Sequence, residues 1–451
     1  MALAFALAAS GCLRTQPPPP PSVVLILIDQ LRADRLGVYG SKEGLTPFLD
    51  LLARKGFYFL NARAAAPWTY PSTVSLHTGL YPRVHRAERL RGAALRDRGE
   101  GSWWIRQVPS EITTLAEYLR ARGYETAGFI ANPYLKPESQ FPRGFEHYEH
   151  DFVESWAVDP TNSHARWWKK SSHADTLNAR VLDYLQDPKL PVFVYIHYID
   201  VHGPWDQAPF LDEPCPPDAD CTRWMESAAL YRRAIRYVDR RIADLYSRVE
   251  RIFAGQVIFV VTSDHGRALV PSDASNTLKA EKASLHDFNL RVPLLFAWTN
   301  AFPYSGSSTV DVSLIDVFPT LAGILFPDAS LGLKLDGKSL VPLFEGRSLP
   351  RRTLFAENND PLTGHAAQAS IDDSVKFVEV TAPVGVHLEY DLLTDPKELA
   401  PPLQTLGTGQ AGRLQALHQA FERMERRAAA DRPTRLLPET IEQLKALGYT
   451  Q

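Results

Sequence analysis

Val23-Val-Leu-Ile-Leu-Ile28 runs straight into Asp29-Gln30. An unbroken aliphatic run without polar alternation describes a strand buried on both faces, and such strands belong to parallel sheets covered by helices. Val192 to Ile199, Val257 to Val261 and Val292 to Trp298 read the same way. Amphipathic helical stretches lie between them at about Thr46 to Lys55, Ser110 to Arg122, Ala174 to Leu185, Arg223 to Ile252 and Val312 to Leu325. This alternation predicts an α/β fold, a doubly wound and mainly parallel sheet, over residues 23–348. From 349 to 451 the pattern changes. Short strands at Thr353 to Glu357, Val375 to Val380 and His387 to Leu392 precede helices at about Gly412 to Ala429 and Glu439 to Ala446. That order predicts a smaller antiparallel sheet-plus-helix subdomain.

Outward from this core, the composition is that of an ordinary globular enzyme. The 451 residues are 45% hydrophobic and 22% charged, with a net charge of -3, which argues against nucleic acid as a partner. The apolar residues 1–12 end in Ala9-Ser10-Gly11-Cys12, similar to a bacterial lipobox, and Pro17 to Pro21 form a stiff spacer within the linker 13–22. The expectation is an exported envelope protein anchored to a membrane through lipidated Cys12, facing the periplasm or the cell surface. Cys215 and Cys221 suit a small disulfide loop in that compartment, the alternative being two unpaired thiols. The Arg-rich stretch from His85 to Arg98 reads as a solvated insertion or as the rim of an entrance for polyanions. Trp103, Trp104, Trp167 and Trp168 suit sugar stacking or packing under a lid.

Ligands of doubly wound sheets bind beyond the carboxyl ends of the strands. Three of the runs end there in ionisable residues: Asp29-Gln30, Asp200-Val201-His202 and Ser263-Asp264-His265-Gly266. One polar residue after a strand is usually a cap or turn. Three ends bearing carboxylate or imidazole supply what a divalent cation needs. A fourth element, Pro67-Trp68-Thr69-Tyr70-Pro71-Ser72-Thr73, places Thr69 or Ser72 near a helix N-terminus, where free N–H groups favour an anionic ester.

These stretches, in this order, resemble the sulfatase family of the alkaline phosphatase superfamily. The resemblance rests on Val24 to Gly37, Thr46 to Gly56, Thr69 to Pro82, His197 to Pro204, Ser263 to Gly266 and Arg291 to Leu294. Toward the end it rests on Leu335 to Leu340, Tyr390 to Pro396 and Leu447 to Tyr449. It implies that Asp29, Gln30, Asp264 and His265 surround one divalent metal (Mn, Zn, Ca or Mg), with Thr69 beside it as nucleophile. His202 and Lys282 match the residues that contact the transferred group and its leaving oxygen. The Asp-Gln and Asp-His pairs look like those of phosphonate monoester hydrolases.

The sequence departs from the family at the nucleophile. Sulfatases carry Cys or Ser there, converted to formylglycine within a Cys/Ser-x-Pro-x-Arg pattern, whereas this chain has Thr69-Tyr70-Pro71-Ser72-Thr73. No formylglycine is expected. A formylglycine hydrate can expel sulfate by re-forming its aldehyde, but a sulfo-threonine has no such exit. A phospho-threonine can be hydrolysed or passed to an acceptor. The expected function is therefore a metal-dependent hydrolase of anionic phosphate or sulfate esters, phosphoester chemistry ahead, on a phosphorylated or sulfated glycan or headgroup. Thr-aromatic-Pro also resembles nucleotide pyrophosphatase/phosphodiesterases, which use two metals; Asp200, His202 and His365 are the loose candidates for a second set. The alternatives are a transferase of phospho-headgroups onto envelope glycans and an inactive binding protein that keeps the fold.

Overall fold

The computed structural model describes residues 20–90, 103–150, 173–203, 205, 209–212, 227–268, 284–298, 304–359, 366–382 and 385–446. Cys12, Cys215, Cys221, Trp167, Trp168, Lys282, His365 and Tyr449 lie outside them.

The aliphatic run is the middle strand of an eight-stranded sheet. In chain order the strands are β1 (Ser22–Ile28), β2 (Phe57–Phe59), β3 (Glu125–Ile130), β4 (His147–Glu149), β5 (Val192–Tyr198), β6 (Val257–Thr262), β7 (Leu294–Trp298) and β8 (Gly306–Ser308). Across the sheet they lie in the order β8-β2-β7-β6-β1-β5-β3-β4. Every pairing is parallel except the two made by β7. Alternate residues of β1 enter opposite cores, as the two-residue strand period requires. Val23, Leu25 and Leu27 pack on the side of α2 (Thr69–Thr78) and α5 (Val317–Leu325). Val24, Ile26 and Ile28 pack on the side of α1 (Pro47–Lys55), α3 (Ala174–Tyr184) and α4 (Ser227–Ile252). The doubly wound reading holds.

Ile28 lies beside Tyr198 of β5, and Leu27 beside Thr262 of β6. The three strands therefore end level, and the residues that follow them emerge along one edge.

The second sheet is antiparallel, formed by β9 (Leu354–Asn358), β10 (Ala366–Asp372), β11 (Val375–Ala382) and β12 (Val386–Asp391). Helix α6 (Thr408–Glu425) covers it, burying Leu417, Phe421 and Met424 against Phe377.

Two helical stretches and several strands differ from the sequence expectations. The stretch Val312 to Leu325 opens as a short strand, Val312–Ser313, and a 3-10 turn, Leu314–Asp316; it is α-helical only from Val317. Asp316 causes the break by accepting a hydrogen bond from the Ser313 backbone at 2.8 Å. Ser110 to Arg122 contracts to a helix over Leu115–Arg120, because Thr114 and Glu117 form a reciprocal cap there. In the two sheets, strands β2, β3, β4, β8 and β10 were not foreseen.

Candidate metal and ester site

Each strand end delivers a different part of the site. Asp29 follows β1, Asp264 and His265 follow β6, and His202 stands in the loop after β5. Asp29, Asp264 and His265 are buried, and each offers a ligand atom within 4.8 Å of the others. Among the described residues this is the one such group of three or more His, Cys, Asp or Glu side chains.

The hydrogen bonds decide which atoms face the centre. Asp29 Oδ2 accepts from Asn132 Nδ2 at 2.9 Å and faces His197 Nε2 at 3.2 Å. The Asn132 amide is oriented from behind, its own oxygen accepting from Tyr134 N at 3.0 Å. Asp264 Oδ1 accepts from the backbone N–H groups of Gln30 and His265, at 3.1 and 2.8 Å. One oxygen remains on each carboxylate, Asp29 Oδ1 and Asp264 Oδ2, and neither has a hydrogen-bond partner among the described residues. His265 Nδ1 lies 2.7 Å from Gly266 O, a carbonyl that can only accept. Nδ1 therefore carries the proton, and Nε2 presents its lone pair.

A buried oxygen with no partner costs free energy unless something fills the gap. Burial and the neighbouring Asp29 charge push the Asp264 carboxyl above its usual range. Burial would raise Asp29 too, but the His197 hydrogen bond and the rings of His202, His197 and His265 outweigh it and hold this carboxyl below. Two carboxylates that cannot comfortably ionise together, plus one imidazole lone pair, fit a divalent cation. These are outer hydrogen bonds of the kind that orient metal ligands.

Thr69 is the first residue of α2 and is fully buried. Its Oγ1 lies 3.5 Å from Asp29 Oδ2 and 3.4 Å from His265 Nε2. The helix is pinned to the site, since Ser72 Oγ donates to Asp264 O at 2.6 Å. The N-terminal end of a helix favours an anionic ester in general, and Thr69 stands at this one. His202 points its Nδ1 at Gly203 O, so Nε2 is its proton-accepting nitrogen. Burial above all, with Arg267 and His265 adding to it, lowers this ring to about 4, so it rests neutral.

Gln30 occupies a left-handed conformation, φ 62°, which lets its N–H reach Asp264 while its carbonyl accepts from Tyr231 Oη at 2.8 Å. Its side-chain oxygen accepts from Arg267 at 3.0 Å. Asp200, weighed above for a second metal, pairs with His173 Nδ1 at 3.1 Å instead of joining the triad. Gly266 is required by close approach, because a Cβ there would sit 2.0 Å from Phe288 O.

Asn132 was not read from the sequence, and the role of His197 was not either. Asn132 follows the unforeseen β3, so the pattern used for the other site residues, an aliphatic run ending in a polar group, did not reach it.

A family model described as Sulfatase matches residues 21–325. This chain belongs to the sulfatase family. It is 24% identical over 340 residues to an ulvan-active sulfatase of Formosa agariphila, covering 72% of this chain and 58% of that one. A second ulvan-active sulfatase of that organism is 26% identical over 67% of this chain and 61% of its own length, so the chain spans less than two thirds of either relative. An arylsulfatase of Clostridium perfringens is 24% identical over 83% of this chain and 89% of its own. Among solved structures, a phosphonate monoester hydrolase of Agrobacterium radiobacter superposes with a TM-score of 0.65 at 19% identity, covering 89% of this chain and 96% of that one. The fold is thus shared with members named for sulfate esters and for phosphonate monoesters.

Proposed function

We propose that this sulfatase-family chain is a metal-dependent ester hydrolase that uses Thr69 as its nucleophile, with phosphoesters as the favoured substrates. The observation that carries the reading is the place of Thr69: at a helix N-terminus, buried, with Oγ1 3.4 Å from His265 Nε2. Asp29 Oδ1, Asp264 Oδ2 and His265 Nε2 would hold the cation, the imidazole favouring Mn²⁺ or Zn²⁺ over Ca²⁺ or Mg²⁺. When bound, the cation supplies positive charge that favours the Thr69 alkoxide and the nonbridging ester oxygens.

The chain's own groups account for the proton on the leaving oxygen. Thr69 Oγ bonds to phosphorus as the bond to the leaving oxygen breaks. Thr69 gives its proton to solvent water, and His202, neutral at rest, takes one up on Nε2 and delivers it to the leaving oxygen. A positioned acid of this kind contributes about 10²–10⁴-fold. Lys282 is proposed as the second contact to that oxygen. Water then attacks the phospho-threonine and frees Thr69. Anchoring of the chain in a bacterial envelope through Cys12 belongs to the same proposal.

The test compares p-nitrophenyl phosphate, bis-p-nitrophenyl phosphate, a phosphonate monoester and p-nitrophenyl sulfate across Mn²⁺, Zn²⁺, Mg²⁺ and Ca²⁺. Turnover of a phosphoester that vanishes in Thr69→Ala supports the reading. Turnover of the sulfate that survives Thr69→Ala removes Thr69 from the mechanism. No turnover of any ester leaves a binding protein on this fold.

A further inference from the structure

Asn132, which donates to Asp29 Oδ2 at 2.9 Å, opens a run of two 3-10 turns, Pro133–Leu135 and Pro137–Ser139. Three bonds tie that run together. Tyr134 N donates to Asn132 Oδ1 at 3.0 Å, Tyr148 Oη to Leu135 O at 2.6 Å, and Ser139 Oγ to Lys136 O at 2.6 Å.

A C-terminal arm packs on this run. It consists of a short strand, Pro433–Arg435, and a helix, α7 (Pro438–Ala446). Thr440, fully buried on α7, donates from Oγ1 to Glu138 Oε1 at 2.5 Å. Glu439 stands 3.9 Å from the Nζ of buried Lys136. Ile441 and Leu444 share a core with Tyr134 and Leu135. The strand pairs antiparallel with Trp104–Arg106, and Arg432 O accepts from Gln107 N at 3.0 Å. Gln107 in turn donates from Nε2 to Glu138 O at 2.9 Å. Arg106 O accepts at 2.8 Å from the Oη of Tyr70, the residue after Thr69. The arm thus meets both the segment that orients a metal ligand and a strand bonded to the neighbour of Thr69.

A carboxylate that serves a cation must keep one oxygen turned to the gap, and the bonds to its other oxygen set that rotation. For Asp29 those bonds come from two kinds of structure. His197 is fixed inside the sheet, beside Leu27 of β1 and Ile130 of β3. Asn132 lies past the end of β3, and irregular backbone of that kind takes its rigidity from what packs on it. Here the packing comes from a hydroxyl 302 residues further along the chain. Burial of Ile441 and Leu444 stabilises the fold wherever the turns sit; the directed bond from Thr440 fixes where they sit.

We propose that the C-terminal arm braces the metal site, with Thr440 and Glu138 as positioning residues that act through Asn132 on Asp29. The proposal rests on the cation assigned to the triad. It adds a point of control remote from that triad: loosening the arm weakens metal binding while the fold stays closed.

The test titrates Mn²⁺ into the full chain and its variants and reads Kd by calorimetry. Thr440→Val and Glu138→Ala should each weaken binding about fivefold. Thr440→Ser keeps the hydroxyl and should restore it. Asn132→Ala should weaken binding about tenfold or more, and adding Thr440→Val to it should cost nothing further. An unchanged Kd in both arm variants overturns the proposal. So does the same loss from Thr440→Val in the Asn132→Ala background, since the arm would then serve the fold as a whole. If wild-type protein binds no Mn²⁺, the metal reading falls, and hydrogen exchange of the metal-free chain judges the brace by itself. Thr440→Val should speed exchange of the Tyr134 and Leu135 amides about tenfold while β1 stays protected. Equal rates would overturn the brace as well.

Discussion

At the ends of β1 and β6, Asp29 and Asp264 are buried with one oxygen each lacking a hydrogen-bond partner among the described residues, whereas at the seam with the C-terminal sheet the charges of a largely buried cluster answer one another. Lys376, on β11, has no exposed side-chain surface. Its Nζ donates to Leu285 O, Asp287 Oδ1 and Glu398 Oε1 at 2.9, 2.7 and 2.5 Å. Arg63 reaches Asp287 at 2.9 Å and Asp311 at 2.5 Å. Burial would raise the Asp287 carboxyl, but Arg63 and Lys376 outweigh it and hold the group well below the carboxylate range. One cluster is completed by cations of the chain, and the other leaves a gap shaped for a cation from outside. Burial and acidity are common to both; orphaned oxygens that converge on one gap separate the two clusters.

The largest effect that would break the comparison is on turnover. Thr69→Ala should lower kcat on the best phosphoester by roughly 10³-fold or more, since groups acting as one unit with the nucleophile lose most of their value together. Lys376→Met should leave the metal affinity intact but cost about 3–5 kcal/mol of stability, because it strands Glu398 as a buried charge and leaves Asp287 with Arg63 alone. Urea unfolding reads this directly. A loss below about 1 kcal/mol would mean that the seam is not closed by its ion pairs.

Metal addition sharpens the same contrast at smaller scale. At a hundredfold excess over Kd, the cation should stabilise the protein by about 2.7 kcal/mol. Asp264→Asn should abolish that gain. In EDTA, however, Asp264→Asn should unfold at a higher temperature than the parent near pH 7. The sign follows from the raised Asp264 carboxyl: stability is lost as pH rises from the unfolded carboxylate value through the folded one, and an amide avoids that loss. A mutant destabilised in EDTA would show that Asp264 already serves the fold without metal.

Much of this contrast was legible before the structure, and the missing part has physical causes. The strands β1, β5 and β6 are long aliphatic runs, and each announces its carboxyl end with a polar residue. Strand β3 reads Glu125-Thr-Ala-Gly-Phe-Ile130, too short in aliphatic residues to stand out, so Asn132 stayed hidden with it. Strand β10 reads Ala366-Ala-Gln-Ala-Ser-Ile-Asp372, and its alternation is of small residues with little β preference. The Lys376 network is invisible for another reason. Its partners lie 89 and 22 residues away, and nothing local in Val375 to Val380 says that the lysine points inward.

His77 tests how far the argument from orphaned atoms extends. It lies on α2, the helix that carries Thr69, with its ring 4.4 Å from that of Tyr195 and 4.8 Å from that of Phe141. Both ring nitrogens lack a hydrogen-bond partner among the described residues, and burial drives the ring down to about 3. Among the described residues no second donor joins it in a cluster of ligands. If an orphaned polar atom marks function only where several converge on one gap, His77 is a cost to the fold and nothing more. Its low value means that the unfolded chain takes up a proton below about pH 6.5 while the folded chain does not, so stability falls on acidification. His77→Leu should therefore be more stable than the parent by about 1 kcal/mol at pH 7.5. The difference should widen by about 1.4 kcal/mol per pH unit between pH 6 and 4. Turnover at pH 7.5 should stay within about threefold, an allowance of under 1 kcal/mol in the barrier. Equal stability at every pH would mean that the ring is satisfied in solution. A large loss of turnover would mean that an isolated buried imidazole behind the nucleophile serves the reaction, and convergence would no longer be the criterion.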